Sequence, residues 1–194
     1  MRQTALITMT LLVTAIISLP TLAAWKLDNS SSDLTFISVK KGTIAENHHF
    51  STLVGDIDDQ AKVNVSVDLN SVHTNIAIRD ERLKQHVFDT DKYNAANFTT
   101  QLDKSMLAAL NVGDNKQLKV NGKIDFHGLQ QDVSLELSVS RLSENKIIVN
   151  TLKPFFIKAD AFGVVAGITK LKELAALPSI DYVVPVSFSV TFTR

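Results

Sequence analysis

The 194-residue chain has no cysteine. Disulfides, thiolate metal sites, thiol nucleophiles and a lipidated N-terminal cysteine are therefore excluded. Proline and glycine are sparse, at four and seven residues, which removes collagen-like and low-complexity architectures. Neither sign of charge is in excess, with 20 basic residues against 20 acidic ones, and no basic run exceeds Lys40-Lys41. The electrostatic footprint of a nucleic-acid binder is missing, and no nucleic-acid partner is expected. What is present is apolar: 45% of the chain, against 21% charged. That balance suits one domain with a buried core.

The first residues form a unit of their own. Arg2 is their only charge, Ala5 to Leu19 is apolar apart from Thr8, Thr10, Thr14 and Ser18, and Pro20 precedes Thr21-Leu22-Ala23-Ala24. This three-part layout predicts a secretory signal peptide over residues 1–23, cleaved after Ala23 or Ala24. The apolar stretch falls about five residues short of the roughly 20 a membrane-spanning helix needs. An uncleaved anchor is the alternative. The expected location is the periplasm, with the protein soluble once its leader is removed and transient membrane contact a further expectation.

From Trp25 onward, polar and apolar residues alternate with period two. Val63, Val65, Val67 and Leu69 share one face and Asn64, Ser66, Asp68 and Asn70 the other, as in a strand with one wet side. The pattern returns from Leu118 to Phe126, from Val133 to Val139 and from Tyr182 to Phe192. Weaker strands are expected near Leu34 to Val39, Leu53 to Ile57, Asn97 to Leu102 and Ile147 to Ile157. His127-Gly128-Leu129-Gln130 separates two long runs and predicts a hairpin. Helical patterning is confined to Arg79 to Val87, Ser105 to Leu110 and Thr169 to Leu177, the last grouping Leu171, Leu174 and Leu177. Helices this short need the strands as support and should pack on them as lids or plugs.

No linker or repeat divides residues 24–194, which implies a single all-β antiparallel domain, either a sandwich or a closed barrel. Eight strands in about 170 residues favour an eight-stranded barrel with short helical insertions, because closure leaves no exposed edge. A barrel of this size is filled by its own side chains or holds one slender ligand. The apolar phase places Phe36, Val65, Val67, Phe98, Ile124, Leu135, Leu137, Val186 and Phe188 on the inner wall. Such a wall accepts a long apolar chain and rejects sugars, nucleotides and ions, which would lose hydration without replacement. The alternative is a filled structural or protein-interaction barrel.

Catalytic patterns are absent: no Gly-x-Ser-x-Gly elbow, no His-Glu-x-x-His, no phosphate-cradling glycine loop and no dinucleotide fingerprint. Neither an enzyme nor a resident cofactor is expected. His48 and His49 are neighbours, and in an extended segment they point to opposite faces, which does not chelate one ion. Asp56, Asp58 and Asp59 lack the glycine and closing glutamate of a calcium loop and read as a solvated turn. Arg79-Asp80-Glu81-Arg82 is the most charged segment. It reads as a solvated helix start, or else Arg79 or Arg82 reaches the barrel mouth to meet an anionic head group or a buried carboxylate. Lys40, Lys41 and His48 offer the same contact from the first hairpin.

The order of motifs resembles the YceI-like family of lipid- or polyisoprenoid-binding, lipocalin-like proteins. The likeness runs through Trp25-Lys26-Leu27-Asp28, Leu34-Thr35-Phe36, Ser71 to Asn75 with Ile78 to Leu83, Phe88 and Lys92-Tyr93. It continues through Val120-Asn121-Gly122, Phe126-His127-Gly128, Asp160-Ala161-Phe162-Gly163 and Val184 to Phe188. The chain departs from the family's commoner residues in having Lys40-Lys41 where many members have a histidine, Asn94 where many have a proline, and Ala159 in place of a basic residue. The resemblance implies a periplasmic carrier or sequestering protein for an amphiphile such as a polyprenyl lipid or an isoprenoid quinone.

Overall fold

A computed structural model describes residues 25–194. The expected leader lies outside the described residues. The strand segments are β1 (Trp25–Leu27), β2 (Asp33–Lys40), β3 (Ile44–Phe50), β4 (Leu53–Ile57), β5 (Lys62–Asp68), β6 (Val72–His73), β7 (Ala95–Gln101), β8 (Asn115–Phe126), β9 (Leu129–Ser143), β10 (Lys146–Thr151), β11 (Phe155–Lys158) and β12 (Val183–Thr193). The helices are α1 (Ala77–Arg82), which runs on as a π-helical stretch over Leu83–Phe88, then α2 (Lys104–Ala108) and α3 (Val165–Leu174).

Pairing reduces the twelve segments to eight staves. β1 and β2 lie along one edge of β12, with Leu27 opposite Phe192 and Phe36 opposite Val186. β10 and β11 lie along its other edge, with Val149 opposite Val190 and Phe155 opposite Val186. β3 with β4, and β5 with β6, form two further broken staves. β7, β8 and β9 carry the ring round to β10. The result is a closed antiparallel meander of eight staves, which leaves no open edge along the wall.

Three adjacent staves break side by side, and side chains join the breaks. At the first, Asn29 donates from Nδ2 to the Ser51 carbonyl (3.0 Å) and accepts from the Leu53 amide (2.6 Å). The Ser71 hydroxyl oxygen accepts from the Thr52 amide (3.1 Å), and the Asp68 amide donates to the Thr52 carbonyl (3.0 Å). Polar backbone freed at each kink is thus re-paired, as burial demands.

β8 and β9 meet with Phe126 opposite Leu129, so the hairpin loop is only His127-Gly128, both at positive φ (54° and 75°). Two residues of that hand match the twist of the flanking strands. The expected Ile147 to Ile157 strand is split, since Leu152 to Pro154 leave the sheet between β10 and β11. The helix expected from Thr169 to Leu177 starts and stops earlier, at Val165 and Leu174, and Leu174 is exposed rather than grouped with Leu171. β3 is absent from the strands expected by alternation, and it supplies Glu46 and His48 to the open end of the barrel.

Candidate functional site

Cα partners directly across a sheet face the same way, so the register sorts the inner wall into layers. Trp25, Ile57 and Val63 are consecutive partners at one end of the barrel, and Leu27, Phe192 and Ile147 are another such set. Trp25, Ile57, Val63, Val139, Ile147 and Phe192 are buried in one cluster with Leu110, and Leu107 of α2 packs against it. The Leu102 amide donates to the Ala61 carbonyl (3.0 Å), and Asp103 caps α2 by accepting from the Ser105 amide (2.8 Å). This end is filled.

Toward the other end the same staves enclose a cavity of about 530 Å³, within the few hundred to about 1,000 Å³ usual for small-molecule sites. Its wall runs from Leu53 and Val190 up to Lys40 and Glu46. Along β12, Val184 to Val190 is six residue steps, about 20 Å of strand. Leu83 and Val87 of the π-helical stretch and Ile168 and Leu171 of α3 close it from above. The two helical pieces touch intimately: a β-carbon on Gly167 would collide with the His86 carbonyl oxygen, so only glycine permits this approach.

Of the nine wall positions read from alternation, Phe36, Val65, Val67, Phe98, Ile124, Leu135, Val186 and Phe188 line the cavity. Leu137 does not; it is buried in a cluster with Val120 and Leu135 off the cavity wall. Lys40 and Arg79 line the mouth, whereas Lys41 stands exposed in the β2–β3 turn at φ 55°. The inward phase of β3, Phe50, His48 and Glu46, escapes the alternation rule, as does the helical lining.

Those inward β3 residues meet a polar network. Glu46 accepts from Lys40 Nζ (2.6 Å) and from Arg79 Nη1 (2.9 Å). Lys40, and after it Arg79, hold the Glu46 carboxyl below its ordinary range. Arg79 also donates from Nε to the Thr74 hydroxyl (2.9 Å) and from Nη2 to the Thr74 carbonyl (2.6 Å). Asp80 accepts from the Thr74 amide (2.9 Å) and hydroxyl. Arg79 is therefore no solvated helix start; it reaches 33 residues back to a carboxylate. Three of its five donors are committed, and Lys40 keeps two of three.

His48, 3% exposed, points inward and shares Nε2 with the Ser38 hydroxyl (2.8 Å), while its Nδ1 has no partner. Burial, reinforced by the Arg79 charge, pushes its pKa down to about 4, so the ring is neutral at ordinary pH. His49 faces the other way and lies against His73, ring centroids 5.0 Å apart. Asp58 spends one carboxylate oxygen on the Gln60 and Lys62 amides (2.9 and 2.8 Å), which shapes the β4–β5 turn. Among the described residues no three His, Asp or Glu side chains converge as a metal site requires.

The YceI-like domain model covers residues 25–192. The chain belongs to the YceI-like family. Among solved structures it is similar to a polyisoprenoid binding domain from Saccharophagus degradans implicated in plant cell wall breakdown, with 35% identity, a TM-score of 0.86, and 88% of this chain and 98% of that one covered. BcnA of Burkholderia cenocepacia (17% identity, TM-score 0.66, 85% and 98% covered) and a Campylobacter jejuni YceI protein (20%, 0.57, 76% and 84%) share the fold. The comparison with curated proteins finds no match. As a YceI-like barrel, the chain places the polar mouth residues Lys40, Glu46, His48 and Arg79 on β2, β3 and α1, elements that also carry apolar lining residues such as Phe36 and Phe50.

Proposed function

We propose that this YceI-like barrel binds a single long apolar amphiphile, a polyisoprenoid lipid or isoprenoid quinone, and sequesters or carries it without turnover. The observation that carries the reading is the cavity itself: about 530 Å³, walled by Val, Leu, Ile and Phe, and blind at the end that Trp25 and Phe192 fill. Water held there would find few partners, so an apolar chain is the favoured occupant. The 35% identical relative described as a polyisoprenoid binding domain supports the same choice. The tail enters first, and the head group stays at the mouth beside Lys40, Glu46 and Arg79, where the two cations retain unused donors.

A tail burying about 400 Å² of apolar surface gains roughly 10 kcal/mol at ~25 cal/mol per Å². Association and ordering costs remove several kcal/mol of that. The protein is proposed to work in the periplasm after loss of residues 1–23, and intact mass of the periplasmic form tests this. Mass spectrometry of solvent extracts from detergent-free protein tests the binding. One polyisoprenoid per chain is expected. Val67→Trp, which fills the cavity, should abolish retention, while Lys119→Ala on the outer face of β8 should leave it intact. Wild-type protein that yields no lipid, and whose melting temperature is unmoved by added quinone or polyprenyl phosphate, would leave only a structural barrel.

A further inference from the structure

The residues that both line the cavity and face solvent mark its opening. Ile76, which precedes α1, is 45% exposed and Ile78 within it is 58% exposed, yet both line the cavity. Ala175, just past α3, is also both exposed and lining. Three contacts tie the surrounding segments into one rim. Arg82 Nη1 of α1 donates to the Leu174 carbonyl (3.4 Å). The Lys41 amide donates to the Ser179 carbonyl (3.1 Å), and Lys40 bridges to Ile180. Ile44, the direct partner of Lys40, and Leu174 add two more exposed aliphatics to the same rim.

Four large aliphatic side chains around one opening are an unusual surface for water to cover. The rim's charges complete the picture. Glu46, Glu81 and Glu173 are each held by a lysine or arginine, and Asp80 is buried on Thr74. Lys41, Arg82 and Lys172 make no ion pair among the described residues, against Asp181 alone on the acidic side. Aliphatics backed by uncompensated cations are what an anionic lipid surface attracts.

We infer that this rim is a membrane-docking surface: Ile44, Ile76, Ile78 and Leu174 enter the interfacial layer of an anionic bilayer and set the cavity's opening against it, so that a lipid passes between bilayer and barrel without crossing water. The inference rests on the lipid-binding reading above and adds where the lipid comes from. A bilayer is the occupant favoured over a protein because the aliphatics surround the opening of an apolar cavity and continue its wall outward. A protein seated there would block that opening.

The absence of cysteine makes the test direct, since a single introduced thiol labels at one place. Ile78→Cys and Val112→Cys, the latter in the α2–β8 loop at the filled end, each carry an environment-sensitive fluorophore. Vesicles of phosphatidylethanolamine and phosphatidylglycerol should blue-shift the label at position 78 and leave that at 112 unchanged, with a weaker response to phosphatidylcholine alone. The Ile44→Ser/Leu174→Ser double variant, unlabelled and at rim positions that do not line the cavity, should float with the anionic vesicles about tenfold less. It should take up quinone from vesicles correspondingly more slowly, while binding quinone from detergent micelles as the wild type does. Equal flotation and uptake by the variant, or equal shifts at both labels, would overturn the docking surface and leave lipid binding standing. Failure of the wild type to bind quinone or polyprenyl phosphate from micelles would instead remove the binding reading, and vesicle flotation would then judge the surface by itself.

Discussion

At one end of the barrel Trp25, Ile57, Ile147 and Phe192 pack into one cluster; at the other, the same staves present Phe36, Leu53, Ile157 and Val186 around open space. Residue size does not separate the ends, because the open half also carries Phe36, Phe50, Phe98 and Phe188. What differs is the segment that crosses each end. α2 comes almost directly after β7, and it and the turn after it pack Leu107 and Leu110 into the filled end, stapled by the Leu102–Ala61 hydrogen bond. At the open end α3 is held against the π-helical stretch and α1 is held to β3 by Glu46, so the covering helices stand off as a roof. An eight-stranded wall is therefore neutral between filled core and container, and its end pieces decide.

The contrast can be broken by mutation. Phe192→Ala, at a side chain 2% exposed within the filled end, should cost about 3–5 kcal/mol. Val67→Ala, which enlarges a space already present, should cost only about 1 kcal/mol. Denaturant unfolding of the two variants side by side makes the measurement. Equal losses would mean that the open half is packed in solution.

Acid sharpens the same contrast, because the open half buries a titratable wall residue. His48 binds its proton near pH 4 in the folded chain and near 6.5 when unfolded. The unfolded chain therefore holds more protons between those values, and stability falls as pH drops through that window. The full loss is about 3 kcal/mol at ~1.4 kcal/mol per unit. It is complete below pH 4 and absent above about pH 7. His48→Gln should flatten the slope of stability between pH 6.5 and 4; an unchanged slope would place the titration elsewhere.

A third contrast concerns the roof. Gly167→Ala puts a methyl against the His86 carbonyl and should cost about 1–3 kcal/mol as α3 is pushed away. Hydrogen exchange of the α3 amides should rise, while that of β10 and β12 at the filled end stays as it was.

Seven of the eight staves are legible in the sequence because each shows one apolar and one polar phase. The second stave can be read only in its β4 half, from Leu53 to Ile57, and the short β1 and β6 pieces of the first and third staves are not among the expected strands. β3 is illegible for a physical reason: its inward phase includes Glu46 and His48, satisfied by Lys40, Arg79 and Ser38, and a pattern scan sees mostly polar residues on both faces. Arg79 lies 33 residues from Glu46, so the pairing exists only once the fold exists. The site divides likewise. Its strand wall is implicit in the alternation, but Leu83, Val87, Ile168 and Leu171 belong to helices whose placement depends on one glycine contact. Leu137 and Lys41 do not line the cavity, because facing inward, or being near the mouth, does not by itself place a side chain on its surface.

The seam where β12 meets β1 has a consequence in time. Every other junction of the ring joins staves adjacent in the chain, so hairpins such as β8–β9 can form early and locally. The seam pairs Lys26 with Thr193, and bringing ends that far apart together costs about 4–5 kcal/mol of loop entropy beyond a constant. Barrel closure is thus the step of highest contact order, and it should set the folding rate. Until that seam zips, a half-built container has two raw edges and no inside, so the capacity to hold anything arrives only with the final pairing.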